Sequence, residues 1–209
     1  MIHGGFWRAR YGKAVTRAVS ADLARQGRAA WNIEYRRLGR GQGGGWPATF
    51  DDVAAAIDRL AERADPRLDL DDVSLVGHSA GGQLAIWAAA RSDSLVKVRR
   101  VVAQAAPCDL RAAGAAVQLL GGTPEQEPER YALANPMELL PVGVPVLLVH
   151  GEEDATVPVI RSRNFAEAAR RAGDQVTLIE PEPGGHRTHI DPRTAAWQAA
   201  ADWLTKEDE

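Results

Sequence analysis

One string constrains this chain more than any other: Gly77-His78-Ser79-Ala80-Gly81-Gly82, entered from Val73-Ser74-Leu75-Val76 and left through Gln83-Leu84-Ala85-Ile86-Trp87-Ala88-Ala89. A strand, a Gly-x-Ser-x-Gly turn and a helix follow one another without a gap, which is the context a nucleophile elbow requires. The chain must reverse so sharply that Ser79 is held in a strained conformation, and a side chain at Gly77 or Gly81 would collide with neighbouring backbone. The bend lifts the Ser79 hydroxyl above the carboxyl edge of a sheet, with the positive end of the next helix behind it. The bland alternative is a glycine-rich turn that matches by chance. Its placement between an apolar strand and an Ala-rich helix counts against that.

The rest of the chain repeats the same alternation. Short apolar runs at Ala29 to Ile33, Val73 to Val76, Val101 to Ala105, Pro145 to Val149 and Val176 to Ile179 read as strands, separated by segments of helical period. Val15, Ala18, Val19 and Leu23 fall on one helical face, and Phe50, Val53, Ala54, Ile57 and Leu60 on another. Asp191-Pro192 predicts a cap and a first helical position ahead of Trp197, Ala201 and Leu204, and Pro158 opens another helix in the same way. The fold class is therefore α/β, a mostly parallel sheet flanked by helices. With 209 residues and no dividing linker, residues 1–209 form one domain. Its longest irregular stretch, about 109–141, carries Gly121-Gly122, several prolines and a Glu cluster, and reads as a lid-like excursion on the rim of the sheet.

Composition removes whole classes of function. A net charge of −3 with scattered Arg residues leaves no basic stripe for nucleic acid. No apolar run approaches the length of a membrane span, and the start lacks the basic and apolar regions of a signal peptide, so a cytoplasmic protein is expected. The single cysteine, Cys108, excludes an internal disulfide and reads as a small buried side chain. Neither a metal nor an organic cofactor is expected, and the oligomeric state is left open.

A serine hydroxyl needs an imidazole to take its proton and a carboxylate to orient that imidazole. On a sheet with such an elbow, the chain order is Ser, acid, His. His3 precedes the serine, His78 points away from it inside the elbow, and His150 ends a strand where packing is its expected role. His186 and His189 remain. His186 follows Gly184-Gly185, read as a mobile hinge, whereas His189 lies close to the cap Asp191, so His186 is preferred. Asp154, just beyond the turn Gly151-Glu152-Glu153, is preferred as the acid because Glu152 and Glu153 more plausibly face water.

Acyl transfer also needs donors aimed at the oxyanion. The Ala80 amide supplies one, and His3-Gly4-Gly5-Phe6-Trp7 can supply another because paired glycines allow close backbone approach. Taken together, these residues resemble the α/β-hydrolases of the kynurenine formamidase and small carboxylesterase group, which carry His-Gly-Gly-Tyr-Trp and Gly-His-Ser-Ala-Gly segments. The resemblance extends to Tyr35-Arg36, to Leu120-Gly121-Gly122-Thr123-Pro124, and to Gly151, Asp154, Val157 and Pro158. That last string is also similar to prolyl-oligopeptidase-type peptidases. The resemblance implies an α/β-hydrolase fold, first-loop oxyanion donors at Gly5 and Phe6, and an ester or aryl formamide substrate. Phe6 replaces the family's Tyr. Family members also carry strands ahead of the His-Gly-Gly segment, where this sequence has only Met1 and Ile2. The expectation is an N-terminally shortened hydrolase whose strand 29–33 exposes an edge, less stable and less active than a version extended upstream.

Two rival readings are weighed against this one. Gly39-Arg40-Gly41-Gln42-Gly43-Gly44 satisfies a dinucleotide fingerprint, but Gly45-Trp46-Pro47 intervenes where its helix should open, so a rim loop is expected. A non-catalytic binding protein on a hydrolase scaffold is the other. The expected chemistry is attack by Ser79, base help from His186 held by Asp154, and hydrolysis of an acyl-enzyme. The partner is a small-molecule ester or amide, its leaving group lodged among Phe6, Trp7, Trp46 and the 109–141 excursion.

Overall fold

The structure is a computed structural model and describes residues 1–63, 65–182 and 184–205. Four parallel strands, β1 (Val73–His78), β2 (Val98–Gln104), β3 (Val146–Val149) and β4 (Val176–Ile179), lie side by side in chain order. The helices are α1 (Arg17–Arg25), α2 (Ala48–Asp58), α3 (Ala80–Ala89), α4 (Ala116–Leu120), α5 (Pro128–Ala134), α6 (Ile160–Arg171) and α7 (Ala195–Leu204).

Side chains alternate across a strand, so each strand feeds two cores. Leu75, Val101 and Leu148 join Phe50, Val53 and Ile57 of α2 with Leu84 and Ile86 of α3 on one face. On the other, Val76, Val102, Leu147 and Val149 pack against Val19 and Leu23 of α1 and Trp197, Ala200 and Leu204 of α7. The stripe on α1 is narrower than the sequence implies, because Ala18 faces solvent. The buried Trp197 indole donates to Asp22 Oδ2 at 2.7 Å and ties α7 to α1.

The segment 29–33 is not a strand. Its place beside the sheet rests on Met1, whose amino group donates to Trp31 O at 2.8 Å and whose carbonyl accepts from Ile33 N at 3.1 Å, while Ile2 N donates to Val76 O at 2.8 Å and His78 N to Ile2 O at 3.2 Å. An apolar run becomes a strand only where a neighbour supplies a ladder. Among the described residues the pairing does not extend beyond these two bonds to Met1, and a cavity of about 420 Å³ lies between residues 28–31 and Val73–Val76.

Two helix starts also differ from expectation. Thr194, not Asp191, caps α7 by accepting from Trp197 N at 3.3 Å, and Asp191 instead binds Arg193. The chain from Pro158 to Val159 forms a turn before α6 opens at Ile160. The excursion at 109–141 carries α4 and α5 and buries Leu119, Leu120, Tyr131 and Ala134 in the core. Among the described residues no helix is long and apolar enough to cross a membrane.

Candidate active site

β1 ends at His78 and α3 begins at Ala80, which leaves Ser79 alone between them at φ 55° and ψ −123°. That conformation is costly for an L-residue and is held by its surroundings. The Ser79 amide donates to Gln104 O at 2.7 Å, tying the bend to the end of β2. A Cβ on Gly77 would come within 2.0 Å of the Gly81 carbonyl oxygen, as expected from a tight elbow. A Cβ on Gly81 would lie 2.1 Å from Ile2 O, so the second glycine is needed to seat the first loop on the elbow.

Ser79, Asp154 and His186 come together from three loops. His186 Nδ1 donates to Asp154 Oδ2 at 2.7 Å, leaving Nε2 to accept from the Ser79 hydroxyl at 3.0 Å. The second Asp154 oxygen accepts from the amides of Thr156 at 2.8 Å and Val157 at 2.9 Å. Burial alone would raise the Asp154 carboxyl, but the hydrogen bonds from His150, His186 and these amides hold it well below the usual carboxylate range. Glu152 and Glu153 are exposed, and Glu152 pairs with Arg163.

The sequence missed what His150 does. Its ring is fully buried, Nδ1 accepts from Ser162 Oγ at 2.7 Å, and Nε2 faces both Val157 O at 2.8 Å and Asp154 Oδ2 at 3.2 Å. It therefore helps to hold the carboxylate. The i, i+4 spacing of His150 and Asp154 was the available signal, but in a turn that spacing carries no fixed meaning. His78, turned away from Ser79, donates from Nε2 to the His186 carbonyl at 2.8 Å and anchors the loop that carries the imidazole.

Gly184 is not part of a mobile hinge. A Cβ there would lie 2.3 Å from Gly151 Cα, and one on Gly151 would lie 2.1 Å from Gly184 Cα, so the acid's turn and the histidine's loop touch backbone to backbone. Of the two glycines, Gly185 is the one with open space around it.

On the opposite wall, the first loop is braced from beneath. His3 stacks on Tyr35 at 4.3 Å between ring centroids, its Nε2 meets Glu34 Oε1 at 2.6 Å, and Tyr35 Oη donates to His3 O at 2.8 Å. Phe6 and Trp7 follow at φ 55° and 57°, a strained left-handed pair that sharply turns the loop beside Ser79. Among the described residues, no acceptor takes a hydrogen bond from the amides of Gly5 or Phe6. Ala80, first in α3, presents the third amide.

These groups face a cavity of about 200 Å³ whose walls include Phe6, Trp7, Ser79, Pro107, Ala112–Ala115 and Val157. Trp46, expected at this pocket, packs edge-on against Phe50 in the core instead. The Gly39–Gly44 segment is a chain of turns, and no helix opens until Ala48. Cys108 is fully buried and its thiol is pushed up to about 12 by burial, which makes it inert. Among the described residues no cluster of three ligand side chains could hold a metal ion.

Burial lowers His78 to about 4 and His189 to about 3, each helped by neighbouring imidazoles, and both His189 nitrogens lack a partner. A histidine whose folded pKa is depressed stabilises the protein above its unfolded value near 6.5, and that stability is lost as pH falls toward the folded value. By pH 5 each should cost on the order of 2 kcal/mol relative to pH 8. Thermal unfolding followed from pH 8 to 4 should therefore show a steep loss below pH 6.5, flattened in His189→Phe. An equal slope in the variant would rule out this assignment.

A strained serine at a strand-to-helix elbow, hydrogen-bonded through histidine to aspartate at the carboxyl ends of a parallel sheet covered by helices on both faces, defines the class as α/β-hydrolase. Residues 1–169 match the BD-FAE family, and the chain belongs to it. Among solved structures it is similar to a truncated carbohydrate esterase from gut microbiota, at 24% identity and TM-score 0.81 over 98% of this chain and 83% of that one. It is also similar to a bifunctional GH43-CE protein of Bacteroides eggerthii, at 25% identity and TM-score 0.80, covering 97% of this chain but 30% of that one. A third, an acetyl ester-xyloside bifunctional hydrolase from Caldicellulosiruptor lactoaceticus, shares 22% identity and TM-score 0.76 over 97% of this chain and 80% of that one. No curated protein matches the chain. These likenesses support the esterase-type fold and do not single out the kynurenine formamidases.

Proposed function

We propose that the protein is a serine esterase that cleaves small acyl groups from larger leaving groups through an acyl-enzyme. The observation that carries this reading is the unbroken hydrogen-bond chain from Ser79 Oγ through His186 to Asp154, opening on the 200 Å³ cavity. Ser79 attacks the ester carbonyl while His186 Nε2 takes its proton, and Asp154 stabilises the imidazolium that results. The amides of Gly5, Phe6 and Ala80 receive the oxyanion, a contribution of roughly 3 kcal/mol for a single donor. His186 then returns the proton to the leaving oxygen, and water repeats the sequence on the acyl-enzyme.

A cavity of this size suits acetyl or formyl groups. The similar carbohydrate esterase and acetyl ester-xyloside bifunctional hydrolase favour acetyl esters. The His-Gly-Gly resemblance keeps aryl formamides in view, although Phe6 lacks the hydroxyl of the formamidases. A fluorophosphonate probe should label wild type and not Ser79→Ala. Turnover of aryl acetates, N-formylkynurenine and a prolyl dipeptide amide should rank in that order. Well-folded protein that neither labels nor turns over any of the three would favour a non-catalytic binding role.

A further inference from the structure

Arg161 is the one charged side chain among the described residues that line the Ser79 cavity. Its neighbours on that wall are apolar or neutral: Thr156, Val157, Pro158 and the small residues 112–115. Among the described residues its guanidinium meets no carboxylate, and its one hydrogen bond runs from Nη2 to Ala112 O at 3.0 Å. Of five N–H donors, most are therefore left for another acceptor.

The position of the residue is itself unfavourable to a cation. Arg161 lies in the first turn of the twelve-residue helix α6, a turn that carries no acidic side chain. The helix dipole there favours negative charge and opposes a guanidinium. Several arginines elsewhere on the surface are neutralised by carboxylates: Arg36 by Asp52, Arg111 by Glu138 and Arg163 by Glu180. An unpaired arginine on a helix N-terminus, turned toward a small apolar cavity, makes that wall a site for an anion. The dipole and the guanidinium then act on it with the same sign.

We propose that Arg161 sets the specificity of this site by binding a carboxylate carried on the substrate a few bonds from the scissile ester. This rests on the esterase reading above and narrows it to acidic esters. The bond to Ala112 O places the guanidinium beside the wall formed by residues 112–115 and leaves its other donors for a carboxylate.

Two matched pairs test this: monophenyl adipate against phenyl hexanoate for a charge on the acyl side, and 4-acetoxybenzoate against its methyl ester for the leaving group. In each pair the ratio of kcat/KM, anionic to neutral, is compared between wild type, Arg161→Gln and Arg161→Lys, so that intrinsic reactivity cancels. The expected result is a fall of about 10- to 100-fold in that ratio for Arg161→Gln in one pair, with Arg161→Lys between the two because it keeps the charge and loses the fork. The pair that responds identifies the side on which the charge sits. Unchanged ratios in both pairs overturn the proposal.

Calorimetric binding of 4-acetoxybenzoate and monophenyl adipate to Ser79→Ala, with and without Arg161→Gln, reads the same contact without turnover. Arg161-dependent binding by an enzyme that hydrolyses neither ester would overturn the esterase reading and leave the anion site standing. Thermal unfolding of Arg161→Gln and Arg161→Lys establishes that each variant is folded before its ratio is read.

Discussion

Replacing Ser79 by alanine should lower kcat for a short-chain aryl ester by about 10⁴- to 10⁶-fold, the range seen when the nucleophile of a Ser-His-Asp set is removed. Stability should change little. Alanine meets the same backbone demand at φ 55°, the Ser79 amide keeps its bond to Gln104 O, and only the hydroxyl bond to His186 is lost. His186→Ala should cost a similar factor. The double variant should be no worse than either alone, because the two residues act as a unit. Residual turnover within about tenfold of wild type in Ser79→Ala would remove the serine from the mechanism, since no surviving group could account for it.

Substituting Gly151 by alanine should lower kcat by about a hundredfold or more without touching any reacting atom, as expected when catalytic groups move by about 1 Å. A Cβ at Gly151 would come within 2.1 Å of Gly184 Cα, and the atoms it meets are all backbone, so no side-chain rotation can relieve the clash. The turn bearing Asp154 and the loop bearing His186 must then part, which stretches the 2.7 Å bond between them. KM should change less than kcat, since the walls of the cavity lie elsewhere. Gly185→Ala is the control. Nothing lies within 4 Å of its Cβ, and its activity should stay near wild type. Equal effects at 151 and 185 would mean that the backbone contact does not set the geometry.

Much of this was legible along the chain. The elbow was readable because its three requirements, an apolar strand, glycines on both sides of the serine and an Ala-rich helix, are all local. β4 appears with the bounds read from its apolar run, and β1 to β3 differ from theirs by one to three residues at an end. The run at 29–33 misled for a physical reason: side chains of strand character do not supply a neighbouring strand. Asp191 misled similarly, because its neighbour Arg193 claims the carboxylate and Thr194 is left to cap α7.

The sequence by itself determined the α/β-hydrolase fold class, since the alternation of strands and helices and the glycine pattern of the elbow are local, and it named Ser79, Asp154 and His186 as candidates from their order along the chain. Only the tertiary structure decided how those groups are held. It brings His150 and two amides onto Asp154, His78 beneath the His186 loop, Gly151 against Gly184, and Arg161 to the wall of the cavity. The first lies within the loop that follows β3, and the others depend on loops from different strands meeting at one edge of the sheet. The distances involved are fixed by strand spacing and helix packing and not by separation along the chain.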